Sequence, residues 1–183
     1  MENNWESISL GDVIDITHGY GFKGEYFSDS PTQNILLTPG NFRVGGGFKT
    51  GKLKYYNGPI DQRFVLEIGD LIITMTDLSK NGDTLGFPAI IPKSTNLKIY
   101  LHNQRLGKVI FKDTNKIDKK FLYYLLCTRH YQRTIVNGAS GTTVKHTSPT
   151  KIKNYKCQIP PLPTQSTPSS LLPGCPFLFL KSA

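Results

Sequence analysis

At 183 residues, 38% of them hydrophobic, the chain is long enough for one packed domain with room for a tail or a small second lobe. Its apolar runs, such as Leu71–Ile73 and Pro176–Leu180, are far too short to cross a bilayer, and no leader is expected from its opening residues. Its three scattered cysteines match neither a disulfide framework nor a metal site, so a soluble cytoplasmic protein is expected. The formal charge of +9 is uneven: residues 1–115 hold 12 basic and 12 acidic residues, whereas residues 116–156 hold nine basic residues against Asp118 alone. That is a local field suited to a polyanion, although a solvated basic face is the plainer reading.

In the first segment Trp5, Ile8, Leu10, Val13, Ile14 and Ile16 are apolar, and Ser9 predicts the cap of a short helical turn beginning at Leu10. His18 to Gly24 reads as a glycine-punctuated loop and residues 33–37 as a buried strand. Residues 39–52 contain Gly45-Gly46-Gly47, which are costly to order, with Arg43, Lys49, Lys52 and Lys54 nearby. Two readings stay open there: a mobile loop that stiffens on a partner, or an ordinary surface hairpin. After a turn at Gly69-Asp70, residues 71–76 predict a central strand that is apolar on both faces. Asp77 to Asp83 reads as a loop with a turn signal at Asn81-Gly82. Residues 85–91 and 105–111 predict further strands, the first kept at an edge or bulge by Pro88.

The organisation changes at Asp118. Residues 119–136 predict the most prominent helix, with Asp118 as its cap and Phe121, Leu122, Leu125 and Leu126 as its apolar stripe. Arg129 and Arg133 share one face of it, and Asn137-Gly138 is its stop signal. Ser148-Pro149 predicts a short helix near 149–154, and Tyr155 to Ile159 a strand closed by Pro160-Pro161-Leu162-Pro163. The expected fold class is therefore α+β, mostly sheet, with these two helices.

Catalytic chemistry is hard to place on this pattern. His18, His102, His130 and His146 form no HxH or HExxH spacing, and no nucleophile elbow is present. The three glycines lack the Gly-Lys-Ser/Thr of a phosphate loop. Asp12, Asp15, Asp70, Asp77 and Asp83 read as turn and cap residues rather than metal ligands. Neither Glu25 nor Glu67 has the second-following lysine of a nuclease pattern. No catalytic residue, metal or cofactor is expected.

Residues suited to DNA are more evident. His102-Asn103-Gln104-Arg105 offers groups that pair with adenine or guanine edges, although strand alternation lets at most two face one way. In the loop Ser140-Gly141-Thr142-Thr143-Val144-Lys145-His146 the glycine permits close backbone approach, and the hydroxyls, lysine and imidazole suit phosphate or base edges. A polar loop that merely caps the preceding helix is the structural alternative. The candidate DNA contacts are Arg43, Lys49, Lys52, Lys54, Asn103, Gln104, Arg105, Ser140, Thr142, Thr143, Lys145, His146, Lys151 and Lys153.

The chain resembles a target-recognition domain of a type I restriction-modification specificity subunit over about residues 5–165. The residues that carry the likeness are Trp5…Leu10-Gly11-Asp12-Val13, Gly69–Thr76, Asn103-Gln104-Arg105, the helix leading into Gly138–Thr143, and Lys151-Ile152…Ile159-Pro160-Pro161-Leu162-Pro163-Thr164-Gln165. The resemblance implies a non-catalytic domain that reads one half of a split double-stranded DNA target from the major groove. Adenine methylation and ATP-dependent cleavage would fall to separate modification and restriction subunits, and the chain would bind neither ATP nor S-adenosylmethionine.

The likeness departs after Gln165, where the family's tract opens a long helix that separates two recognition domains and docks the modification subunits. Here prolines at 168, 173 and 176 and Gly174 forbid one long helix. The expectation is a recognition domain over 1–165 and an atypical, irregular tail over 166–183, from a truncated or frame-shifted reading frame. Assembly with the partner subunits would then be impaired. Two other classes compete: a stand-alone nuclease or methyltransferase, and an inactive truncated remnant or protein-interaction module, the latter docking through Phe177–Leu180.

Overall fold

A computed structural model describes residues 4–49, 51–93 and 98–166. The tail expected to be irregular lies outside the described residues beyond Ser166, as does Phe177–Leu180.

The chain begins with β1 (Glu6–Ser9), α1 (Leu10–Val13), β2 (Ile14–His18), β3 (Phe27–Ser28), β4 (Asn34–Leu36), β5 (Lys54–Tyr56) and β6 (Val65–Leu66). It continues through β7 (Leu71–Thr74), β8 (Thr76–Asp77), β9 (Pro88–Ile90), β10 (Ile99–Leu101) and β11 (Leu106–Phe111). The helical part is α2 (Lys119–Leu126), α3 (Arg129–Asn137), β12 (Lys145–His146), α4 (Pro149–Lys153), β13 (Lys156–Ile159) and α5 (Leu162–Gln165). The fold is α+β, as the sequence pattern implies.

A four-stranded sheet in the order β2-β11-β7-β9 lies beside a five-stranded sheet in the order β3-β5-β4-β10-β6. Strand β7 is interior, and all four of its residues are buried. Its alternation explains why: Leu71 and Ile73 join the cluster containing Phe121, Leu122, Leu125 and Leu126 of α2, while Ile72 joins Ile35, Leu37 and Leu66 of the other sheet. Each such side chain contributes about 1.5–3 kcal/mol when fully buried. Strand β9 is an edge, and Pro88 opens it. That is the place where a missing backbone N–H does least harm.

Several local signals act as the sequence predicts. The Asp118 carboxylate accepts from Lys120 N and Phe121 N at the start of α2. Ser148 Oγ accepts from Lys151 N at the start of α4, and Asp12 accepts from Ser9 N around α1. The single helix expected over 119–136 is instead two. Thr128 takes extended backbone angles, its hydroxyl donates to Leu125 O at 2.8 Å, and it accepts from Tyr131 N at 3.3 Å. This threonine both closes α2 and caps α3. The short helix expected over 149–154 ends at Lys153.

The chain's two arms close on each other. Strand β13 pairs antiparallel with β1, setting Glu6 opposite Ile159 and Ser9 opposite Lys156. Gln165, 1% exposed, takes the amide of Asp118 on Oε1 at 2.8 Å and donates from Nε2 to Lys116 O and Pro160 O.

Candidate nucleic-acid interface

Residues 73–77, from the end of β7 through β8, are a hub for segments distant in sequence. On one side Met75 N donates to Arg105 O at 2.9 Å, which seats the turn between β10 and β11. On the other side Ile73 pairs with Pro88, and Pro88 O accepts from Gly47 N at 2.8 Å, which seats the glycine loop. Beyond them Met75 O accepts from Thr147 N at 3.0 Å, and β8 pairs with β12, Asp77 opposite Lys145 and Thr76 opposite His146. Three groups of candidates thus surround one strand end. Met75 and Thr76, which hold this arrangement, read as strand residues in the sequence, but nothing local there points to these partners, which lie 30 residues or more away.

The glycine loop is built rather than slack. Gly45, Gly46 and Gly47 have φ values of 87°, 97° and 90°, a region that L side chains rarely adopt. Arg43 N donates to Gly47 O and Gly46 N to Arg43 O, closing the turn on itself. Arg43, Lys49 and Lys52 are exposed around it. Lys54 sits apart on β5, with Nζ 5.4 Å from the ring centre of Phe27.

In the turn after β10, Gln104 and Arg105 are exposed, whereas Asn103 uses its amide oxygen to accept from Arg105 N at 2.9 Å. His102 is a core residue rather than a base reader: it is 3% exposed, and its Nε2 donates to Leu106 O at 2.9 Å. Burial pushes its imidazole down to about 4, so it is neutral at physiological pH.

Residues 140–146 form a tight hairpin. Ser140 and His146 exchange backbone hydrogen bonds of 3.0 and 2.8 Å, and Gly141 has φ 92°, where an added Cβ would lie 2.0 Å from Val144 O. Ser140, Thr142, Thr143 and His146 are exposed and Lys145 is half-buried. His146 Nδ1 lies 3.1 Å from Thr76 Oγ1.

Among the described residues, two members of the basic block are already in ion pairs. Lys153 Nζ pairs with Asp15 at 2.8 Å and Lys116 Nζ with Glu6 at 3.2 Å, both partners coming from the N-terminal segment. Lys153 beside Asp15 holds that carboxyl below its usual range. Lys151, Arg129 and Arg133 are exposed.

A groove of about 850 Å³ opens elsewhere, between β1, β13 and the α2–α3 junction, lined in part by Trp5, Leu125, His130, Tyr155 and Cys157. None of the candidate contacts lines it. Burial pushes the Cys157 thiol up to about 11 and the Tyr155 hydroxyl up to about 12, so neither is an activated nucleophile at neutral pH. Among the described residues no group of three or more His, Cys, Asp or Glu is placed to hold a metal ion, and no helix is long and apolar enough to cross a membrane.

A family model described as the type I restriction modification DNA specificity domain matches residues 2–172. The chain belongs to that family. The chain is 30% identical over 165 residues to the type I restriction enzyme EcoBI specificity subunit of Escherichia coli, covering 90% of this chain and 31% of that protein. It is 28% identical over 171 residues to the MjaVIII specificity subunit of Methanocaldococcus jannaschii, covering 90% and 38%. This specificity domain thus spans about a third of the length of those curated relatives. Its fold also matches the S subunit of a type I restriction-modification system from M. genitalium, with a TM-score of 0.58 and 17% identity over 87% of this chain and 35% of that one. The HsdS subunit from Thermoanaerobacter tengcongensis gives 0.57 and 16% over 90% and 35%.

Proposed function

We propose that this chain recognises double-stranded DNA as a non-catalytic specificity domain, reading one half of a split target for partner subunits that methylate adenine and cut DNA. The observation that carries the reading is the convergence at residues 73–77. The 103–105 turn and the 140–146 hairpin attach to this strand end, and the glycine loop attaches to Pro88 on the neighbouring strand β9, in a member of the specificity-domain family. Gln104, Arg105 and His146 suit base edges, and Arg43, Lys49, Lys145 and Lys151 suit phosphates. Lys54 and Lys153, already held by Phe27 and Asp15, are secondary contacts on this reading.

A binding selection on random duplex DNA tests the proposal, run with the full chain alone and again with modification subunits. The expected result is one enriched motif, the same in both arms. Duplex binding with no motif enriched in either arm contradicts sequence recognition. A motif that emerges only with the modification subunits places the reading in the complex rather than in this domain.

A further inference from the structure

The loop that joins β8 to the segment before β9 is fixed at several points although it lies on the surface. Asp77, 5% exposed, accepts from Ser79 N at 2.7 Å with Oδ1, and from Thr84 N and the Thr84 hydroxyl with Oδ2. Burial alone would raise its carboxyl, but these hydrogen bonds outweigh it and hold the group below its usual range. Ser79 Oγ accepts from Asp83 N, and Gln132 Nε2 of α3 donates to Gly82 O at 3.2 Å. Gly82 lies against Val136, where an added Cβ would come within 3.2 Å.

This bracing presents Leu78, which is 66% exposed. A lone exposed leucine is ordinary on a soluble surface. This one stands on a pre-organised loop that adjoins Lys145 and His146 through the β8–β12 pairing, so binding orders little that is not already ordered. Lys80 is exposed on the same loop, and Asp83 is its exposed carboxylate.

We infer that the Asp77–Thr84 loop is a base-reading element of the interface, with Leu78 packing on a thymine methyl group in the major groove. The inference rests on the DNA-recognition reading above. Its test is the random-duplex selection run with the wild-type chain and with Leu78→Ala, whose exposed position leaves folding intact. Leu78→Ala is expected to lose about fourfold in preference for thymine at one position of the motif, the effect of one buried methyl, with the other positions unchanged. Replacing that thymine by uracil, which lacks the methyl, should cost the wild-type chain the same about fourfold and the variant nothing.

Identical motifs for both proteins, or an equal uracil penalty in both, overturns the inference while leaving DNA recognition intact. A wild-type chain that binds duplex without enriching a motif also overturns it. A chain that binds no duplex at all overturns both readings.

Discussion

Gln165 ties the segment after β13 to the start of α2, and its removal should be costly. Its amide makes three hydrogen bonds, from Asp118 N and to Lys116 O and Pro160 O, each 2.8 or 2.9 Å, and is itself buried. Gln165→Met keeps most of the volume and removes all three. At about 1 kcal/mol net for each bond the loss is about 3 kcal/mol, and stranded carbonyls push it higher. In a domain of this size 1 kcal/mol moves the melting midpoint by about 2–4 °C, so a fall of roughly 6–12 °C is expected by far-UV circular dichroism. Gln165→Ala should fall at least as far, because it adds a cavity. A Gln165→Met chain that melts within about 2 °C of wild type refutes the reasoning; the polar latch would then contribute nothing beyond packing.

His102 is neutral when folded and ordinary when unfolded, with its imidazole pushed down to about 4 by burial. As pH falls below about 6.5 the unfolded chain takes up a proton that the folded chain refuses. Stability therefore drops until about pH 4, by about 3 kcal/mol. Urea unfolding at several pH values should show this component in the wild-type chain and not in His102→Leu; equal pH dependence in both would contradict it. Gly46→Ala places a Cβ at φ 97° and 2.7 Å from Cys127 Sγ, so it should cost about 1–2 kcal/mol and open the loop to trypsin at Arg43 and Lys49. An unchanged urea midpoint and cleavage pattern would show that the loop needs no such conformation.

Signals that act over three or four residues were legible in the sequence. Asp118, Ser148-Pro149 and the stripe of α2 each do locally what their chemistry implies, and Pro88 keeps its strand at an edge. The division at Thr128 was not legible, because apolar positions continue through Tyr131 and Ile135 and periodicity alone cannot register a hydroxyl that bonds back to Leu125. The candidate site was legible as residue types and not as a place. His102 shares its polar neighbours' sequence but points into the core, and Lys153 meets Asp15, 138 residues earlier in the chain. The convergence on Met75 and Thr76 depends on backbone pairings between distant segments, which no window of sequence contains.

The most direct test of the account is the salt dependence of binding between the full chain and duplex DNA, followed by fluorescence anisotropy from about 50 to about 200 mM salt. Neutralising about five phosphates gives a slope of about −4.5 in log affinity against log salt. Replacing Lys145 and Lys151 together by alanine should bring it to about −2.7. A slope near zero would contradict DNA recognition by this chain, and a double variant whose slope equals that of the wild-type chain would contradict phosphate contact through these two lysines.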